Sequence, residues 1–168
     1  MIEDSTKVYT GRAVAAGFAG GTAYLASVWA DNRLSSQHFD DLKLVGQVFT
    51  TRSPAWILQG LAAHFGFSVV VALLYAAWGA RRLPGPSWMR GVLFLQLENA
   101  VLYPGAGLLM PVHAGVKSGQ VPSLFERKVI QGQLVRHIAF GLVLGWMYGR
   151  RWTMDDLSGG WGVVVDTI

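Results

Sequence analysis

The sequence predicts an all-α integral membrane fold, a bundle of four transmembrane helices, on three observations. The chain of 168 residues is 52% hydrophobic, only 14% of its residues are charged, and its mean hydropathy is +0.35. An ordinary soluble domain carries roughly 25% charged residues. Its uncharged stretches approach or exceed the roughly 20 residues that a helix needs to cross a bilayer. Its cations fall singly or in pairs at the ends of those stretches, where lysine and arginine anchor headgroups and set topology. The basic pI near 9.7 therefore points to a lipid bilayer rather than to nucleic acid, which would call for a basic stripe. The absence of cysteine excludes disulfide frameworks, iron–sulfur clusters, thiolate zinc sites and cysteine nucleophiles.

The first span is expected over residues 13–30, uncharged and glycine-rich, and too long for the apolar region of a signal peptide. Gly17 and Gly21 form a GxxxG there, beside Gly20, so another backbone can approach closely, from within the chain or from a partner subunit. Loop one, residues 31–55, contains at 39–49 a short amphipathic stretch that would lie on the outer membrane surface or face solvent. The second span, 56–80, lacks Asp, Glu, Lys and Arg and ends at Arg81 and Arg82. A third is expected over 91–110 despite Gln96, Glu98, Asn99 and Pro104, and a fourth over 130–149 with Gln133, Arg136 and His137 in its first turns. The tail, 153–168, has glycines whose spacing does not make a phosphate loop.

Between spans two and three, Arg81, Arg82 and Arg90 share a short loop with no acidic residue, which places that loop in the cytoplasm. Arg150 and Arg151 place the end of span four on the same side, so both termini are expected to be cytoplasmic. Trp29, Trp56, Trp78, Trp88 and Trp152 fall at span ends and read as an interfacial belt.

Spans two and four match at a fixed offset: His64 with His137, Phe67 with Phe140, Ser68 with Gly141, Ala72 with Gly145 and Tyr75 with Tyr148. At about 100° per residue most of these positions share one helical face, which predicts an interface with a small-xxx-small seam in both spans. Two tandem hairpins related by a pseudo-two-fold along the membrane normal follow from this repeat.

The run His64-x-x-Phe67-Ser68-x-Val70-x-Ala72-x-x-Tyr75 resembles a motif of the YagU-like inner-membrane proteins of bacteria. Tyr103-Pro104-x-x-Gly107-Leu108-x-x-Pro111 is similar to a second, and His137 followed by aromatic residues and Arg150-Arg151 to a third. The likeness covers roughly the last two-thirds of the chain. It implies a small multi-pass protein of the bacterial inner membrane without an assigned activity. Where the family carries an acidic residue one turn before the last histidine, this chain has Gln133, which weakens a proton-relay role.

Two histidines at similar depth on parallel helices, His64 and His137, are a candidate axial pair for a b-type haem or a chlorin; alternatively each ring hydrogen-bonds across helices. Glu98 deep in its span is costly to bury and should face the bundle interior. There it would act as a neutral lock with His64, His137 or Asn99, or as the centre of a proton or ion path. Arg136 is expected to snorkel to the outer headgroups or to pair with Glu126. His38 and His113 stand alone in loops, and the sequence lacks HExxH, GxSxG and Walker motifs. The expected role is a non-enzymatic structural or accessory membrane component, packed internally or against other subunits or a second copy. A cofactor-binding redox subunit and a small proton-conducting unit are the alternatives.

Overall fold

The computed structural model describes residues 8–34, 40–108, 110–121 and 124–150; His38, Arg151, Trp152 and the tail 153–168 lie outside them. The described residues are all-helical, with no strand among them. Four long helices dominate: α1 (Thr10–Leu34), α3 (Ala55–Arg82), α4 (Ser87–Gly107) and α6 (Arg127–Gly149). Two short ones, α2 (Asp41–Gly46) and α5 (Ala114–Lys117), lie in the connections at one end. Two of the long helices, α1 and α3, are long and apolar enough to cross a membrane. α4 and α6 reach 21 and 23 residues but carry the polar load of Gln96, Glu98 and Asn99 and of Gln133, Arg136 and His137.

The long helices pack in the order α3, α1, α6, α4. Small residues set this order. A Cβ on Gly17 would come within 2.9 Å of the Ser68 carbonyl oxygen and 3.0 Å of Ala72 Cβ, and one on Gly21 within 2.7 Å of Ser68 Oγ. The seam of α3 thus faces the GxxxG of α1. The matching seam of α6 faces α4 instead: a Cβ on Gly141 would meet Val92 Cα at 2.6 Å, and one on Gly91 the Gly145 nitrogen at 2.7 Å. Between α1 and α6, Phe140 fills the space over Gly20.

An exact two-fold exchanging the hairpins would pack α3 on α4 as closely as α1 on α6. α3 instead reaches α4 through one end, where residues Tyr75–Gly79 form a π-helical turn. There the Tyr75 hydroxyl donates to the Ser87 carbonyl oxygen (3.2 Å), and its ring lies 5.5 Å from Phe94 and 5.7 Å from Tyr148, its repeat partner. The shared face expected for the repeat is corrected in part: Phe140 is 5% exposed, but Phe67 is 50% exposed. α6 has a neighbour on each side, whereas α3 lies at the edge.

At the loop-one end, α2 does not lie free on a surface, as one reading of residues 39–49 had it. Gly46 and Gly60 bring it onto the start of α3, with backbone where either glycine's Cβ would stand. The connection before α6 clamps it from above: Gly115 N–H donates to the Gln47 carbonyl oxygen (3.1 Å), and His113 Nε2 lies 2.6 Å from that of Leu44.

Candidate functional site

Polar side chains from every long helix converge near mid-length of the bundle. Tyr24 comes from α1, His64 from α3, Glu98 and Asn99 from α4, and Gln133, Arg136 and His137 from α6. Asp41 enters from loop one. Its neighbour Asp40 caps α2, accepting from the N–H groups of Leu42 (3.0 Å) and Lys43 (3.2 Å), and this fixes a first turn whose Asp41 is buried.

Asp41 accepts hydrogen bonds from Gln133 Nε2 and Arg136 Nη1. The Tyr24 hydroxyl lies 3.0 Å from Asp41 Oδ1 and 2.7 Å from Gln133 Oε1, so two acceptors compete for one proton. The other arm of Arg136 donates to Asp31 Oδ2 at 2.8 Å. A guanidinium placed among apolar helices is expensive unless countercharged, and two carboxylates meet this one. Burial pushes the Asp41 carboxyl up from its ordinary value, while the Arg136 charge and the Gln133 and Tyr24 hydrogen bonds pull it back.

This overturns the expectation that Arg136 snorkels to headgroups or pairs with Glu126. The side chain is 1% exposed, and its partners are Asp31 and Asp41. Neither carboxylate stands out in the sequence of loop one. The signal for them was the arginine itself, since a cation inside an apolar segment demands an acid from elsewhere in the chain. Tyr24 and Gly91 also went unread, because a tyrosine in a glycine-rich span and a glycine at a span end look like routine composition.

His137 Nδ1 lies 2.8 Å from the Gln133 carbonyl oxygen, and its Nε2 lies 3.3 Å from Glu98 Oε2, an ion-pair distance without hydrogen-bond alignment. With Nδ1 facing the carbonyl, Nε2 is the His137 nitrogen turned toward Glu98. Among the three partners expected for Glu98, the structure brings up His137. Gln96 Nε2 donates to the Leu134 carbonyl oxygen (3.0 Å), tying α4 to α6, and Asn99 is buried on the same helix.

His64 Nε2 lies 2.9 Å from the Gly21 carbonyl oxygen, at the α1/α3 seam. The Tyr24 ring touches both imidazoles, with centroids 5.4 Å from each. Axial ligation of a haem or chlorin needs two ring nitrogens aimed at an open slot. Here a phenol bridges the rings, and His64 Nε2 and both His137 nitrogens already face protein atoms. His64 and His137 as placed do not fit a macrocycle between them.

The cluster therefore opens in one direction. Asp31 leads from Arg136 toward the loop-one end with its side chain 40% exposed. Toward the other end the buried residues are apolar but for the Ser68 and Tyr75 hydroxyls: Ala16, Val71, Ala72, Tyr75, Leu95, Phe140 and Leu144 stand there. Chemically the arrangement can hold charge and lock helices together. No family model, curated protein or solved structure matches this chain.

Proposed function

We propose that this chain is a four-span protein of the bacterial inner membrane, with cytoplasmic N and C termini, serving as a structural or accessory membrane component and not as an enzyme. One observation carries the reading: large apolar side chains point outward on all four long helices, including α4 and α6, which supply most of the polar cluster. Phe18, Leu58, Phe67, Val101, Val135 and Leu142 are all exposed while Arg136, Gln133 and Asp41 are buried. Polar groups inside and apolar groups outside suit a lipid solvent. Each long helix exceeds the roughly 20 residues needed to span. The resemblance to YagU-like proteins points the same way.

The accessory role is supported by how the cluster is built. Arg136 is answered by Asp31 and Asp41, and Glu98 by His137, so each charge serves to join helices. A proton-conducting unit centred on Glu98 would need polar groups beyond it, and Leu95, Phe140 and Leu144 stand there. Gly17, Gly21, Gly141 and Gly145 are spent on contacts within the chain. Another subunit or a second copy would therefore pack on the lipid-facing surface.

Topology reporters inserted at Gly85 and Gly119 and fused after the last residue test the spans. The expected result is Gly119 outside, with Gly85 and the C-terminus inside. Gly119 on the same side as Gly85 would refute four crossings. Purification from native membranes tests the role: a stoichiometric complex with other membrane subunits is expected, and a purified chain that turns over a substrate unaided would overturn it.

A further inference from the structure

The groups that face the Asp41 carboxylate are held in place without it. Gln133 Nε2 and Arg136 Nη1 donate to it from α6, and the Tyr24 hydroxyl of α1 stands 3.0 Å from Oδ1. Gln133 is steadied by that hydroxyl, 2.7 Å from its Oε1, and Arg136 by Asp31, which takes its other arm at 2.8 Å. The Tyr24 ring in turn is set between the imidazoles of His64 and His137. All three side chains are buried, and the helices that carry them are joined by Phe140 over Gly20 rather than through loop one.

Asp41 itself arrives on an element of another kind. α2 has six residues, too few to hold a helix alone, and it rests on α3 through the backbone at Gly46 and Gly60. Apart from those of Asp41, the hydrogen bonds that tie α2 and the two residues after it to the rest of the chain go to the α5 connection. His113 Nε2 lies by the Leu44 carbonyl oxygen, Gln47 Nε2 donates to Gln120 Oε1 (2.9 Å), and the N–H groups of Gly115 and Ala114 donate to the carbonyl oxygens of Gln47 and Val48. None of the seams between the long helices passes through α2, so it can part from the bundle as a unit. Asp31 stays on Arg136 when it does, so the guanidinium keeps a countercharge. Burial outweighs the donors and raises the Asp41 carboxyl, so the ionised occupant is held weakly for the number of its partners.

We propose that Tyr24, Gln133 and Arg136 form a binding site for a small free carboxylate, entered from the loop-one end, and that Asp41 occupies it as a tethered ligand which α2 withdraws when the free one enters. The inference goes beyond the accessory role and does not depend on the number of crossings. The chemistry of the present occupant selects the ligand. One oxygen of a planar carboxylate meets Gln133 while the other meets Arg136, an arrangement that a single-centred halide does not reproduce. Exposed Asp31 marks the side of entry. Acetate is the free counterpart of the Asp41 side chain and is the probe.

Binding of radiolabelled acetate to the full chain in mixed micelles is measured by equilibrium dialysis. The wild type is expected to take up acetate saturably and weakly. Asp41→Gly, which vacates the space of the side chain, should bind it at least about tenfold more tightly, because no tethered rival remains. Asp41→Gly/Gln133→Leu should lose about tenfold or more of that affinity, as for hydrogen bonds to charged groups. The withdrawal of α2 is read separately. The chain has no cysteine, so Gln47→Cys places a single thiol where the native side chain is 1% exposed, and acetate should speed its labelling by maleimide several-fold. An Asp41→Gly chain that stays helical and binds acetate no better than the wild type overturns the site. Chloride or inorganic phosphate that displaces acetate as well as unlabelled acetate does overturns the carboxylate assignment. Tighter binding by Asp41→Gly with unchanged labelling of the thiol makes Asp41 a fixed counter-ion and overturns the displacement. Should Asp41→Gly fail to fold, the wild type and Gln47→Cys decide alone: acetate that neither binds nor speeds labelling overturns the proposal.

Discussion

Helices α3 and α6 occupy matching places in the two proposed hairpins and are built on opposite plans. α3 carries no charge from Trp56 to Ala80, packs on α1 along one seam, and turns Leu58, Phe67, Val70 and Leu74 outward. α6 carries Gln133, Arg136 and His137, lies between α1 and α4, and buries them. In water the more apolar helix would take the centre. In lipid, apolarity gives a helix no reason to leave the surrounding hydrocarbon, and polar side chains gain most from burial. The contrast is the one that the proposed lipid setting calls for.

The sharpest way to break the comparison is at Arg136. Replacement by leucine leaves Asp31 and Asp41 without their counter-ion and should cost about 3–5 kcal/mol, as for other broken buried pairs. Reversible unfolding in mixed micelles reads this, and a loss under about 1 kcal/mol would show the cluster to be dispensable. Next come the seams. Gly141→Leu drives a side chain into the backbone of α4 at Val92 and should cost about 1–3 kcal/mol, whereas Gly66→Leu on the open face of α3, where a Cβ meets nothing within 4 Å, should be close to neutral.

A smaller contrast is expected between repeat partners. Phe140→Ala should destabilise by about 1–2 kcal/mol through lost packing, less than in a water-soluble core because lipid is also apolar, and Phe67→Ala should leave the unfolding midpoint unchanged. Equal effects would mean that α3 and α6 are more alike than their neighbours suggest. The slightest change concerns pH. Because burial raises the Asp41 carboxyl, the folded chain holds that proton more tightly than the unfolded one. The stabilisation is full below the ordinary carboxylate value and is lost as pH rises through the raised one. Asp41→Asn should flatten that part of the stability profile.

The helical segments were readable because each is set by local composition. The expected spans 13–30, 56–80, 91–110 and 130–149 lie within or close to helices Thr10–Leu34, Ala55–Arg82, Ser87–Gly107 and Arg127–Gly149. Small residues at fixed spacing likewise announced two seams, though not that Ser68 would face α1 while Gly141 faces α4. What stayed hidden is long-range. Asp41 and Asp31 stand 95 and 105 residues from Arg136, and no local pattern says which loop acid will reach a buried cation. His64 and His137 looked equivalent in sequence, yet one bonds across the α1/α3 seam and the other sits between Gln133 and Glu98. Packing order, not spacing, makes them different.

The π-helical turn at Tyr75–Gly79 has a bearing on what length changes α3 can absorb. The Ala80 N–H reaches back to the Tyr75 carbonyl oxygen, so this turn houses one residue more than an α-helical turn would. Removing one residue here, such as exposed Ala77, would let the helix close to ordinary pitch while leaving the Gly17/Ser68 seam above it in register. A deletion two turns earlier would instead rotate His64 and Ser68 relative to the rest of the helix by about 100°. The stretch that ties α3 to α4 is thus also where the chain can be shortened at least cost.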